Sequence, residues 1–108
     1  MFLKHNTYPF REVIEGVSMQ PLAFGFRTNL CEFRLKKGFT IPPHNHPYEQ
    51  TGYLVSGKLN FRIGEKWFLA EPGDSWSIPL NEEHEVETLE DSIVLELFSP
   101  LRPDYLPK

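Results

Sequence analysis

The sequence predicts an all-β sandwich or barrel with little or no helix, and three observations carry the prediction. Ten prolines and seven glycines punctuate 108 residues at short intervals, which leaves room for strands and little room for helices. Between them apolar and polar residues alternate, as with Leu59, Phe61 and Ile63 against Asn60 and Arg62; that is the period of a half-buried strand. No 12-residue window carries the apolar stripe of an amphipathic helix. A chain of this length builds one core, so a single domain over 1–108 is expected.

Residues 1–20 read as an N-terminal arm with one or two edge strands. Leu22 to Phe26 and Asn29 to Leu35 read as strands, and Lys36-Lys37-Gly38 as the turn that ends the second of them. Ile41-Pro42-Pro43 must be extended, yet prolines cannot donate to a ladder, so this run belongs at a rim or an edge. Gln50 to Val55 is a strand ending at Ser56-Gly57, and Lys58 to Ile63 is the next. A hairpin turn over Ile63-Gly64-Glu65-Lys66-Trp67 returns the chain along Trp67 to Ala70. After the turn Glu71-Pro72-Gly73-Asp74 come strands at Trp76 to Ile78, His84 to Thr88 and Ser92 to Phe98. The tail, 99–108, is too rich in proline for strand or helix.

Composition narrows the function. Net charge is −4 with a pI near 5.5 and there is no basic stripe, so nucleic acid is not an expected partner. No apolar run approaches the ~20 residues that span a bilayer, and no membrane partner is expected. The first residues lack the apolar core of a signal peptide, which leaves the cytoplasm as the default compartment. Cys31 is the only cysteine; it shares a strand face with Phe33 and Leu35 and reads as a buried structural thiol. The acids Glu82, Glu83, Glu85, Glu87, Glu90 and Asp91 read as a solvated face. Glu85 and Glu87 alternate with His84, so they point outward if His84 points inward. His5 reads as a surface residue.

The informative residues are His44, His46, Gln50 and His84. His44 and His46 are two apart, which on an extended strand puts both imidazoles on one face. A third imidazole from a distant strand and an oxygen donor can complete a site for one divalent cation. Parity selects Gln50 over Glu49 as that donor, because an unbroken strand would turn His44, His46 and Gln50 the same way. A bulge at Pro47 would reverse the choice.

These spacings resemble both signature motifs of the cupin superfamily, over about residues 30 to 98. The first runs Gly38, His44, His46, Gln50, Gly57. The second runs Gly73, Pro79, His84, with Asn81 where glycine is usual and Thr88 where Asn is frequent. Asn tolerates positive φ, so the turn can survive. The resemblance implies a jelly-roll β-barrel of two antiparallel sheets around one transition metal, with Zn, Ni, Mn and Fe all admissible. The fourth ligand is usually Glu. With Gln50 there, three imidazoles and an amide leave the cation's charge uncompensated. That makes a stronger Lewis acid and removes the carboxylate that could serve as base.

A base and an anion clamp are offered near the chain end. Glu96 shares a strand face with Val94 and Phe98, either at an edge or in a cavity where desolvation would raise its pKa. Arg102 is either a surface residue or a two-pronged clamp for a carboxylate. The run from Glu96 through Phe98 and Arg102 to Leu106, with His44 to Gln50, resembles small cupins of pectin and alginate catabolism that convert 4,5-unsaturated monouronates into linear keto forms. The resemblance implies Glu96 as catalytic acid–base, Arg102 as catalytic carboxylate clamp and Phe98 as a substrate-binding wall. This family typically carries Asp where Glu96 stands, and one methylene moves a carboxyl by roughly an ångström, enough to matter for placed proton transfer. Two other readings remain: a metal-dependent dioxygenase of a diketone or phenol, which would need a redox-active metal, and a non-catalytic module binding metal and a sugar acid. Gln50 to Val55 also carries apolar residues opposite the ligand face, Tyr53 and Val55. A strand apolar on both sides needs cover on both, and a second copy of the chain is the expected cover.

Overall fold

Two long strands set the shape of the molecule. In the computed structural model, which describes residues 1–108, β5 (Glu49–Ile63) and β8 (His84–Ser99) pair antiparallel along nearly their whole lengths. Both turn a corner midway, where the register shifts around Ser56 and Lys58. Gly57 makes the corner possible. Its φ is +99°, and a side chain there would overlap Ser92, whose hydroxyl accepts from the Lys58 amide. Because of the corner, the halves of β5 and β8 serve different layers. In the first layer the order is β1 (Arg11–Ile14), β2 (Val17–Phe24), β3 (Asn29–Leu35), the C-terminal half of β8, the N-terminal half of β5, and β7 (Ser75–Ile78). The second runs β4 (Thr40–His44), the N-terminal half of β8, the C-terminal half of β5, and β6 (Lys66–Ala70). All pairings are antiparallel and the ladder is continuous through both layers, which is the expected two-sheet jelly roll.

Alternation decides what faces inward. Cys31, Phe33 and Leu35 from β3, Leu54, Leu59 and Phe61 from β5, and Val86, Val94 and Phe98 from β8 form the core with Val17, Met19, Ala70 and Ile78. Burial raises the Cys31 thiol to about 12, so it is an inert part of that core. The acids of the His84 region face out as expected. Glu83 and Glu85 find their cation in Arg62, which both hold as a salt bridge.

Four details differ from the sequence reading. Two expected strand pairs, 50–55 with 58–63 and 84–88 with 92–98, are each one strand, since Ser56-Gly57 bends the ladder without ending it. β2 begins at Val17, ahead of the expected Leu22, and ends at Phe24. Pro21 is tolerated inside it because β1 pairs only as far as Met19, so no neighbour misses the proline's absent N–H. The tail holds one 3-10 turn, Pro103–Tyr105; a proline at the first position presets φ and forfeits a donor that has no partner there anyway. Finally, β4 ends at His44, so His46 lies in the loop before β5 rather than on an unbroken strand.

Candidate metal centre

Register assembles the site. Across the first layer, Asn29, Phe98, Gln50 and Ile78 stand in one row, and Cys31, Glu96, Gly52 and Trp76 in the next inward-facing row. In the second layer His44 pairs with His84. The chain from β4 to β5 then carries His46 across the gap between the layers, and its carbonyl accepts from the Asn81 amide 2.9 Å away. Asn81 sits at φ +61°, so it performs the turn that its place in the motif requires. A ligand nitrogen of each of His44, His46 and His84 lies within 4.8 Å of the other two. Three imidazoles gathered this way form a cluster able to bind a metal.

The hydrogen bonds fix which nitrogen of each ring is free. Nδ1 of His44 lies 2.8 Å from the Pro42 carbonyl, Nδ1 of His46 3.2 Å from that of Tyr48, and Nδ1 of His84 2.8 Å from that of Glu82. A carbonyl can only accept, so each Nδ1 carries the proton and each Nε2 presents a lone pair. Burial favours the neutral form of two of the rings. It lowers His84 to about 4, and it lowers His46, with Arg102 adding to the effect. Nε2 of His84 is buried and has no hydrogen-bond partner. Nε2 of His46 stands 2.9 Å from Oε1 of Gln50; both are lone-pair atoms, and that approach is favourable when a cation is shared between them. The donor set therefore fits a divalent transition metal, and these backbone carbonyls are the outer partners that orient metal-binding imidazoles. Gln50 is buried and Glu49 is exposed, so the amide and not the carboxylate faces the cluster. The parity argument reached this side although its premise, one unbroken strand through His46, does not hold.

Glu96 lies in the wall of the same cavity, 5% exposed. Burial pushes its carboxyl up to about 8, opposed by the Gln50 amide and the Trp76 indole. Nε1 of Trp76 donates to Oε1 at 3.1 Å, while Oε2 is buried without a partner. The alternative of a solvent-facing edge carboxylate is thereby removed. β8 is an interior strand at this point, between β3 and β5.

The tail closes the cavity. Asn29 grips the Arg102 backbone twice, accepting from its amide at 2.8 Å and donating to its carbonyl at 3.2 Å. Arg11 donates to the carbonyls of Asp104 and Leu106. Held this way, the Arg102 guanidinium lies 5.0 Å from the centre of the Phe98 ring and 4.1 Å from that of Tyr105. Its Nε is buried with no hydrogen-bond partner. His44, Gln50, His84, Glu96, Phe98, Arg102 and Tyr105 together line a space of about 60 Å³. The site residues expected from the sequence thus line one cavity, except His46, which contacts its wall through Gln50. Sequence reasoning missed three participants. Gly52 had a readable signal, a glycine inside a strand, which marks close approach. Trp76 shares an inward parity with Ile78. Tyr105 had no signal, because its position depends on how the tail folds back.

Known proteins agree with this architecture. The family model described as a cupin domain matches residues 31–99. The pectin degradation protein KdgF of Dickeya dadantii (strain 3937) is 31% identical over 101 residues, covering 91% of each chain. The structure of KdgF from a Halomonas species superposes with a TM-score of 0.91 at 28% identity, covering 98% of each chain. An RmlC-like cupin from Shewanella frigidimarina NCIMB 400 shares the fold at a TM-score of 0.91 and 23% identity, over 97% of this chain and 95% of its own.

Proposed function

The chain belongs to the cupin family, and from that premise we propose that it opens and tautomerises a 4,5-unsaturated uronate to its linear keto form. The Dickeya relative is named for pectin degradation, and unsaturated uronates are the sugar acids that its resemblance implies. The observation that carries the reading is Glu96, a buried carboxyl with one unpartnered oxygen in the same cavity as Arg102 and two of the three clustered histidines, His44 and His84.

The reaction is an isomerisation and needs neither oxidant nor co-substrate. A proton leaves the C1 hydroxyl, the bond from C1 to the ring oxygen breaks, and the former ring oxygen becomes the enol oxygen at C5. A proton added at C4 then gives the 5-keto form. One group that accepts the first proton and returns the second suffices, and Glu96 is that group. A carboxyl held near 8 populates both protonation states around neutral pH, as such a shuttle requires. Arg102 holds the uronate carboxylate, and Phe98 forms the apolar wall against the sugar ring. His44, His46, Gln50 and His84 would hold one Zn, Ni, Mn or Fe, which supplies Lewis-acid polarisation of the sugar oxygens. The protein acts as a homodimer in the cytoplasm in this reading. Tyr53, Val55 and Leu97 leave an exposed apolar strip on the outer face of the first layer, while the N-terminal arm contacts β2 and β3, through Gln20 bonded to Asn6 and Tyr8 and through Phe10 against Arg34.

The test is turnover of unsaturated galacturonate by metal-loaded protein, followed as loss of the alkene absorbance. Glu96→Gln should keep the metal and lower turnover by roughly 10²-fold or more, the scale for losing a general acid–base. Wild-type rates in that variant, or no turnover by wild type, would remove the uronate mechanism. Oxygen uptake by Fe(II)- or Ni(II)-loaded protein would then test for a dioxygenase.

A further inference from the structure

Trp76 and Glu96 sit on strands that are not neighbours. β7 and β8 flank β5, and both residues pair with Gly52 between them. Two strand spacings place their backbones roughly 10 Å apart, so their side chains meet only by reaching over the middle residue. They do meet, with the indole N–H 3.1 Å from Oε1. The space they use is the space a side chain at position 52 would take. A Cβ on Gly52 would overlap both the Trp76 indole nitrogen and Oε2 of Glu96. The φ of Gly52 is not in the left-handed region, so backbone conformation does not require glycine here; close approach does. The indole is itself held from the second layer by Phe61, with ring centres 4.8 Å apart.

The outcome is asymmetric. Oε1 of Glu96 is tied to the indole and Oε2 has no hydrogen-bond partner, with the nearby Gln50 amide also favouring the ionised carboxyl. A purely structural buried carboxyl would be expected to have both oxygens satisfied. We propose that Trp76 and Gly52 are positioning residues for Glu96: the indole fixes Oε1, and the bare α-carbon of Gly52 leaves the room in which the carboxyl sits, so that Oε2 is the oxygen left to exchange a proton with the substrate. The inference rests on the uronate reading and deepens it, by naming the oxygen that moves the proton and the device that selects it.

Two measurements test it, and they fail separately from the uronate reading. The first is a double-mutant cycle on unsaturated galacturonate. Trp76→Phe removes the N–H and keeps an aromatic ring against Phe61. It should lower kcat about tenfold with KM and metal content within about twofold of wild type. Added to Glu96→Gln, it should change kcat less than about twofold, because the oxygen it orients no longer shuttles a proton. Equal losses in both backgrounds would mean that Trp76 merely supports the fold, and the proposal falls. The second measurement needs no activity. The chain has two tryptophans, so it gives two indole N–H signals in a proton–nitrogen correlation spectrum, and Trp76→Phe identifies which belongs to Trp76. Glu96→Gln should shift that signal and leave the Trp67 signal in place. An unmoved Trp76 signal overturns the tie, whatever the substrate. If wild type fails to turn over the uronate, the functional reading falls and the indole signal alone decides whether the tie exists.

Discussion

Glu96 ties the fold of this protein to pH in a direction opposite to most carboxylates. Its pKa stands at about 8 in the folded chain against an ordinary 4.5. Below 4.5 the folded and unfolded chains both carry the proton. As pH climbs toward 8, the unfolded chain releases it and the folded chain keeps it. Folding then becomes less favourable by about 1.4 kcal/mol per pH unit. Across the whole window this amounts to roughly 5 kcal/mol, and roughly 3–4 kcal/mol of it falls between pH 5 and pH 8. Glu96→Gln cannot titrate, and its side-chain oxygen can still accept from Trp76. The perturbation is therefore that substitution, in protein stripped of metal with EDTA, and the assay is urea unfolding at pH 5, 6.5 and 8. Every other ionisable group is common to both proteins and cancels in the difference. The variant should gain on wild type steadily with rising pH, by roughly 3–4 kcal/mol from end to end. A difference that stays flat over that range would mean that the carboxyl is solvated or ionised in the fold, and the reasoning about its burial would be refuted.

The same geometry sets three further outcomes. His44→Ala combined with His84→Ala should bring bound metal to background by elemental analysis; full stoichiometry would rule out the cluster as the site. Arg102→Ala should raise KM for an anionic substrate at least as much as it lowers kcat, and a pure kcat loss would deny it the clamp. Light scattering at micromolar protein should give a dimer mass, with Tyr53→Glu shifting it toward monomer. A monomer in wild type would leave the outer strip uncovered by a second copy.

What was legible in the sequence was set by periodicity, and what was not depended on corners. Strand parity set Cys31, Phe33 and Leu35 on one buried face and separated Leu59 and Phe61 from Asn60 and Arg62, because a period of two survives any amount of sheet twist. The motif spacing grouped His44, His46 and His84 because imidazoles two apart and a fixed turn at Asn81 constrain their placement independently of the rest. Ser56-Gly57 was misleading. A small polar residue before glycine reads as a stop, yet here the glycine lets a paired strand bend without losing its partner. The side of Glu96 could not be decided from its own strand, since Ile93, Leu95 and Leu97 on one face look as buried as Val94 and Phe98 on the other. Burial there is set by the layer opposite, which a single strand does not encode. The tail was opaque for the same reason. Arg102 is held at the cavity by residues far away in sequence, Asn29, 73 residues earlier, which grips its backbone, and Arg11, which ties down the tail beyond it.

The pairing of Gln50 with Glu96 gives these facts a common electrostatic sense. Two carboxylates sharing a small cavity cannot both be ionised without cost; one pKa is driven up strongly. A Glu at position 50 would stand beside Glu96, with its charge taken by the cation and its neighbour forced to stay protonated. Gln50 avoids this. Its oxygen faces His46 at 2.9 Å, and its amide favours the ionised form of Glu96. The single negative charge of the cavity is then placed on the strand next to the ligands. There burial keeps its pKa high, the indole holds one oxygen and the other is free. A carboxylate bound directly to a metal is a poor base, because its lone pairs are already engaged. Moving the carboxylate one row away keeps it basic while leaving the cation a stronger Lewis acid. On this argument the amide ligand is a condition for a proton shuttle at Glu96 rather than a weakened version of the usual site.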